Sequence, residues 1–198
     1  RARRHAAAGS SIPTLGVRMQ PLFALLPVAK DNTLVRTMHM ADWEGFHSYR
    51  CDDELARYQG WSPMTQNEAR AFVQEMSAAP ALRPGSWIQL AIAEPTSNRI
   101  LGDVGLYLEP DASTAEIGFT LSRAAQGRGH AARAVGLSLS LVFAASSVPF
   151  VRAVTDARNA SSVHVLEQTR FAKASTQQTM FKGEPCTELV YVFRRADA

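Results

Sequence analysis

Apolar side chains in this chain recur either at every second position or at intervals of three to four, and the two spacings divide it into strands and helices. Residues 34–38, Leu-Val-Arg-Thr-Met, alternate enough for a first strand. Asp42 then introduces a helix running to about Tyr49, and a second short helix is expected over residues 53–58. Thr65-Gln-Asn-Glu68 has the form of a capping box, and Ala69, Phe72, Val73 and Met76 follow at helical spacing. That pattern predicts a helix over 66–77, ended by the proline-rich residues 80–84. Three strand-like segments come next, 87–93, 100–108 and 115–121. Their connections are short and rich in Pro, Asn and Asp, which implies an antiparallel meander. Ala131, Val135, Leu139, Val142 and Phe143 then share one helix face. Residues 150–155 form a strand that should lie parallel to 115–121, because a helix connects the two. A helix over 160–169 and a hairpin of 171–181 and 187–194 around Lys182-Gly-Glu-Pro185 complete one mixed α/β (α+β) domain without internal repeats.

The first thirty residues read differently. Residues 1–18 show no apolar periodicity and no initial methionine, as a vector remnant or upstream extension would, and Met19 is a candidate start. An export signal is the competing idea, but the run 22–26 is short and flanked by Pro21 and Pro27. Residues 1–30 are therefore expected to form an arm that folds onto a domain at 31–198, or onto the second subunit of a homodimer. The arm also corrects the charge balance. The whole chain carries +3, yet residues 1–30 hold five basic side chains and no acid. The remainder has 16 basic against 18 acidic side chains, a balance of −2, which argues against a nucleic-acid partner for the body. A length of 198 residues with 46% hydrophobic and 20% charged side chains fits one ordinary domain. The longest apolar runs fall far short of the roughly eighteen residues that a membrane span needs. Cys51 and Cys186 are far apart and lack a C-x-x-C partner, so neither a disulfide framework nor zinc is expected, and a reducing cytoplasm is. The five histidines lack the spacing that places two on one helix face, so no metal is expected.

Candidate chemistry concentrates in Gln126-Gly-Arg-Gly-His-Ala131, between a predicted strand and a predicted helix. Gly127 and Gly129 let backbone approach an anion without a Cβ in the way. The first helical turn offers N–H groups with no intrahelical partner and a partial positive charge. The spacing excludes two other phosphate loops. No Gly-Lys-Ser/Thr follows, as a nucleotide triphosphatase would need, and G-x-G-x-x-G of the dinucleotide fold is absent.

Gln126-x-x-Gly129-x-Ala131 resembles the Q/R-x-x-G-x-G/A signature of the GNAT superfamily of N-acetyltransferases. Ala115-Glu-Ile-Gly-Phe-Thr-Leu121 before it and Asn159-Ala-Ser-Ser162, Leu166-Glu167 and Phe171 after it extend the resemblance to its Rim-type (ribosomal-protein-alanine acetyltransferase-like) branch. It covers roughly residues 34–194. The resemblance implies a mostly antiparallel sheet with one splayed parallel strand pair and flanking helices. It implies acetyl-coenzyme A as co-substrate, with its pyrophosphate on the backbone of Gln126, Gly127, Arg128, Gly129, His130 and Ala131. Arg128 and His130 would add charge there. The pantetheine arm would lie as an added strand along Phe119, Thr120 and Leu121. Gly118 would allow a bulge that aims an N–H at the thioester carbonyl. Asn159 would bond the arm, although Asn and Ser at a helix start also serve as N-caps. Ser162 would lie near the sulfur and assist the departing thiolate. Many family members place a tyrosine acid where this chain has Leu166, and Arg170 stands where the family has a C-capping glycine, which requires either a positive φ or a different helix end.

An attacking amine must lose a proton, and a carboxylate is the usual helper. Glu116 shares a strand face with Gly118 and is the candidate base. Glu184, Glu188, Asp52 and Asp53 are the fallbacks, and Tyr49, Tyr58 and Trp61 are candidates to line the acceptor site. With neither cysteine expected in the cleft, transfer should be direct, without a covalent enzyme intermediate. The acceptor, a small-molecule or peptide amine, stays open among a protein N-terminus, a polyamine, an aminoglycoside and an amino acid analogue. Two other functions remain at this stage. One is a non-catalytic domain that binds coenzyme A as a sensor or docking module, and the other is nucleic-acid binding through the arginine arm.

Overall fold

The computed structural model describes residues 21–78 and 81–198. The arginines of the arm up to Arg18, the candidate start Met19 and Pro80 lie outside them. Residues 28–30 belong to the sheet, and a short 3-10 turn before them packs on the core. Strand β1 (Val28–Lys30) pairs antiparallel with β2 (Thr33–Thr37) from Val28↔Val35 to Lys30↔Thr33, and Leu22 is 0% exposed within the main core. A boundary drawn after residue 30 therefore cuts a hairpin. A three-residue strand just after Pro27 is too short to show periodicity, which is why the sequence pattern passes over it.

After β2 come the helices α1 (Trp43–Arg50), α2 (Asp53–Ala56) and α3 (Gln66–Ala78). The capping box of α3 is formed as its sequence predicts. Glu68 Oε2 accepts from Thr65 N at 2.7 Å, and Glu68 N donates back to Thr65 Oγ1 at 3.3 Å. The meander is β3 (Ser86–Ala93), β4 (Ile100–Leu108) and β5 (Ala115–Leu121). There follow α4 (His130–Ala145), β6 (Phe150–Asp156), α5 (Ala160–Gln168), and the hairpin of β7 (Ala172–Phe181) with β8 (Glu184–Arg194). The eight strands are ordered β1-β2-β3-β4-β5-β6-β8-β7, antiparallel except for β5–β6.

Strand alternation feeds two cores. Ile88, Leu90 and Ile92 of β3 join the α4 side, whose Ala134, Val135, Leu139 and Val142 are buried against the sheet. Ala91 faces the other way, onto Phe46 and Tyr49 of α1 and Ala69 and Val73 of α3. That second core encloses an ion pair. Arg50 Nη2 donates to Asp103 Oδ1 at 2.6 Å with side chains only 2% and 1% exposed. Tyr49 Oη (2.7 Å) and Gln89 Nε2 (3.0 Å) also donate to Asp103, and the Arg50 guanidinium lies 4.4 Å from the centre of the Trp61 ring. Burial, with Asp103 beside it, pushes the Tyr49 hydroxyl well above its ordinary range. Tyr49 thus belongs to this core and the half-buried Trp61 packs against its arginine, because the buried charges need the donor and the ring face they supply.

Helix α5 ends as a glycine would end it, but with arginine. Arg170 takes φ 66°. Arg170 N donates to Glu167 O and Phe171 N to Leu166 O, both at 3.0 Å, a Schellman pair.

Two stability outcomes follow. Asp103→Ala leaves Arg50 buried without its counter-charge and should cost about 3–5 kcal/mol in urea denaturation. Arg170→Gly removes the left-handed strain at that position and should stabilise by about 1 kcal/mol, read as a higher urea midpoint at unchanged slope.

Candidate active site

Strands β5 and β6 pair only at Ala115↔Val151 and Glu116↔Arg152. Beyond that, β5 stays with β4 as far as Gly102↔Leu121, and β6 stays with β8 as far as Asp156↔Glu188. The parting opens a cleft of about 530 Å³. Phe119, Thr120 and Leu121 form one wall, Gln126, Gly127, Gly129, His130 and Ala131 the end, and Asn159 and Ser162 the far side. Of the residues expected around a cofactor, Arg128 and Gly118 are not in the lining, and the Arg128 side chain is exposed.

The glycine turn is open and left-handed at two positions. Gly127 (φ 72°) and Gly129 (φ 76°) are both left-handed, and a Cβ at Gly127 would meet no atom within 4 Å. Helix α4 carries no side-chain cap at Gly129, whereas α2 is capped by Asp52 and α5 by Asn159. Arg133 N is the first to bond back into the helix, to Gly129 O at 3.1 Å. The earlier N–H groups of His130, Ala131 and Ala132 are left without intrahelical acceptors at the cleft. The residues present fit a pyrophosphate. Gln126 shapes this turn through its side chain, whose Nε2 donates to Leu121 O at 3.1 Å.

His130 does not add charge. Its ring is 5% exposed and shares a 2.8 Å hydrogen bond between Nδ1 and Thr33 Oγ1, tying the first turn of α4 to β2. Burial first, then Arg133 and Arg128, hold its pKa below the usual histidine value, so the ring is neutral at pH 7.

On α5 the capping reading of Asn159 holds, with Oδ1 accepting from Ser162 N at 3.2 Å. The Ser162 hydroxyl has no protein partner among the described residues and lies in the cleft lining. Leu166 is 1% exposed, inside the main core.

Beside this cleft lies a second cavity of about 340 Å³, lined by Gly60, Glu116, Val154, Thr155, Asp156, Phe181, Cys186 and Glu188. Tyr58 lines both. Two expectations change here. The β4–β5 register runs unbroken through Gly105↔Gly118, so Gly118 makes no bulge. The Gln89 side chain fills the space over Gly105, whereas a Cβ at Gly118 would meet no atom within 4 Å. Cys186, moreover, does face a cavity of the site. Burial, followed by Asp156 and Glu188, pushes its thiol above the ordinary cysteine value, which keeps it protonated and a poor nucleophile. Glu116 Oε2 accepts from Arg152 Nε at 2.9 Å and Nη2 at 2.6 Å, and Glu109 accepts from the same guanidinium at 3.1 Å.

Two long-range ties frame the site. Arg123 donates to both oxygens of Asp52 (2.6 and 2.9 Å) and to Glu54 (2.8 Å), joining the turn before the glycines to α2. Its guanidinium holds the Asp52 carboxyl down to about 2. Lys182, at the tip of the β7–β8 hairpin, donates to Ala56 O at 2.8 Å and Trp61 O at 2.7 Å. The remaining fallback carboxylates fall outside both cavities: Asp52 is the α2 cap, Asp53 is exposed, and Glu184 is exposed at the hairpin turn. Arg152, Lys182 and Thr33 escape sequence reasoning. Each acts through a partner 36 or more positions away, and no local pattern marks it.

A parallel strand pair that parts beside a glycine-lined helix start is the architecture of a coenzyme A-dependent acyltransferase. The sequence profile of the acetyltransferase (GNAT) domain matches residues 32–172. The chain belongs to this family, the enzymes that transfer an acetyl group from acetyl-coenzyme A to an amine nitrogen. It is 23% identical over 161 residues to an uncharacterized N-acetyltransferase, p20, of Bacillus licheniformis, covering 80% of this chain and 89% of that protein. In fold it is similar to the spermidine N-acetyltransferase of Vibrio cholerae solved with coenzyme A and spermine (TM-score 0.72, 14% identity, 85% of this chain and 98% of that one). It is equally similar to RimL, a ribosomal L7/L12 α-N-protein acetyltransferase solved with coenzyme A (TM-score 0.72, 16% identity, 86% and 98%). Among the described residues no helix is long and apolar enough to cross a membrane.

The neutral His130 gives a pH outcome. Its folded pKa is lowered, so below about pH 6.5 the unfolded chain binds the proton more readily. Stability should fall as pH drops through that value and level off below the folded pKa. Urea midpoints for the parent and for His130→Gln across this range should show a smaller dependence in the variant.

Proposed function

We propose that this chain acetylates a primary amine by direct transfer from acetyl-coenzyme A with both substrates bound at once. The observation that carries this is the pair of cavities meeting at Tyr58, one ending in the uncapped α4 start and the other lined by carboxylates. When bound, acetyl-coenzyme A supplies the thioester. The backbone of Phe119, Thr120 and Leu121 is left unpaired on the side facing β6, and it would hold the pantetheine arm as an added strand. The amides of Gln126 to Ala131 would take the pyrophosphate. The Asn159 amide nitrogen is not used in capping and would bond the arm, and Ser162 would donate to the departing thiolate. Arg128 would contribute charge at the outer rim of the turn. Glu116 can serve as base only by loosening its two bonds to Arg152.

The protonated Cys186 thiol supports direct transfer, because a covalent relay needs a thiolate. The core position of Leu166, where many relatives have a tyrosine acid, supports the Rim-type branch, and two free thiols, Cys51 exposed and Cys186 buried, suit the cytoplasm.

The test is ligand-induced stabilisation. At a hundred times its dissociation constant acetyl-coenzyme A should add about 2.7 kcal/mol, seen as a rise in Tm, with ATP and NAD giving much less. Gly129→Val should abolish the shift, since φ 76° strains any β-branched residue and its Cβ would crowd the Arg133 guanidinium. Arg128→Ala should reduce it only in part. Equal stabilisation by ATP would sink the reading. Tight binding without turnover across a panel of amines would favour the sensor function.

A further inference from the structure

The second cavity holds three carboxylates, and their partners separate them. Glu116 is engaged by Arg152. Asp156 is engaged by Arg158, whose Nη2 donates to Oδ2 at 2.6 Å and whose Nε donates to Oδ1 at 3.0 Å. Glu188 is half-buried, and its carboxylate has no hydrogen-bond or ion-pair partner among the described residues. Two guanidinium groups thus answer two of the three charges, and one negative charge is left over inside the cavity.

The position of that charge has a structural cause. Glu188 sits opposite Asp156 on the last rung between β6 and β8, just where β6 has left β5. Alternation puts Glu188, Val190 and Val192 of β8 opposite Asp156, Val154 and Arg152 of β6, on the face that carries Glu116. The carboxylate therefore rises from a wall with Val154 and Cys186 as lining neighbours. An ammonium entering such a cavity needs a counter-charge, because shedding water without one is costly, and reduced solvation strengthens the contact once made. An anionic acceptor would meet the opposite field, the one that helps hold the Cys186 thiol protonated.

We infer that Glu188 receives the acceptor amine as its ammonium and takes the proton that must leave before attack. The inference rests on the acetyltransfer reading above and gives it a catalytic residue. The step balances. One N–H bond of the ammonium breaks, with the proton passing to the Glu188 carboxylate and on to water. The freed lone pair forms the C–N bond at the thioester carbonyl, the C–S bond breaks, and the thiolate leaves with the second nitrogen proton. The other charged or titratable groups at this cavity are Asp156 with Arg158, Glu116 with Arg152, Cys186 and Tyr58, with Arg57 beside Tyr58 and near enough to act on Asp156.

The experiment compares the parent with Glu188→Gln and Glu188→Asp, using the best acceptor among putrescine, spermidine, an aminoglycoside and an alanine-initiated tripeptide. At about pH 7 the Gln variant should lose at least about a hundredfold in kcat/KM, the usual scale of general-base catalysis. The deficit should shrink below about tenfold towards pH 9.5, where a larger fraction of the amine is already free. Glu188→Asp should recover part of the loss. Calorimetry of the same amine against coenzyme A-saturated protein should show affinity reduced about tenfold in the Gln variant. The Tm shift with acetyl-coenzyme A should be unchanged. The assignment is overturned if the Gln variant keeps kcat/KM within tenfold of the parent, if its deficit is the same at every pH, or if its amine affinity is unaltered. A parent enzyme that acetylates none of these amines would instead bring down the acetyltransfer reading, and the role of Glu188 with it.

Discussion

Strands β5 and β6 share two rungs and then part, and both cavities open at or beyond the second rung. Backbone groups on the inner edges beyond Glu116 lose their natural neighbour, and buried backbone donors and acceptors must find another. A ligand with amides of its own satisfies that demand. The last rung is also where Arg152 gathers Glu116 and Glu109. The fork therefore carries an electrostatic clamp on one face, and the cleft and cavity begin from a fixed point.

The walls of the parting are set by contacts between residues far apart in sequence. Arg50 and Asp103 dock α1 onto β4, and the chain beyond α1 supplies Tyr58 to both cavities. Arg123 joins the turn before α4 to Asp52 and Glu54, and Lys182 brings the β7–β8 hairpin to the end of α2. His130 and Thr33 fasten the other side of the cleft to β2. The four ties differ in burial. Arg50–Asp103 is dry and consequential, whereas the half-exposed Arg123 pairs are screened by solvent and contribute positioning more than stability.

Much of this was legible in the chain. The capping box at Thr65–Glu68, the meander of β3 to β5, the parallel placement of β6 and the glycine turn all have local signatures, and each stands where its pattern puts it. Arg170 was legible as a conflict, and the structure resolves it by accepting a positive φ. What was hidden depended on pairing across the fold. Glu116 could be seen as a carboxylate near Gly118, but not as one held by Arg152, 36 positions on. Cys186 looked remote because its distance from the glycine turn along the chain says nothing about which sheet face it occupies. Tyr49 and Tyr58 look alike in sequence, and only the buried Asp103 tells them apart.

Helix α4 has two very different ends. At its C-terminus Arg195 donates to Phe143 O (2.9 Å), Ser146 O (2.8 Å) and Val148 O (3.0 Å), so the carbonyls there are answered and a cation faces the negative pole. At its N-terminus no side chain among the described residues does the equivalent. The helix is a half-finished structure, and an anion at the glycine turn would complete it, so occupancy and rigidity should rise together. Its sixteen residues span roughly 24 Å, which makes the last residues of the chain a remote counterpart of the cleft. Trimming the tail at Arg195 would free the far end to fray and so loosen the helix whose other end meets the cleft.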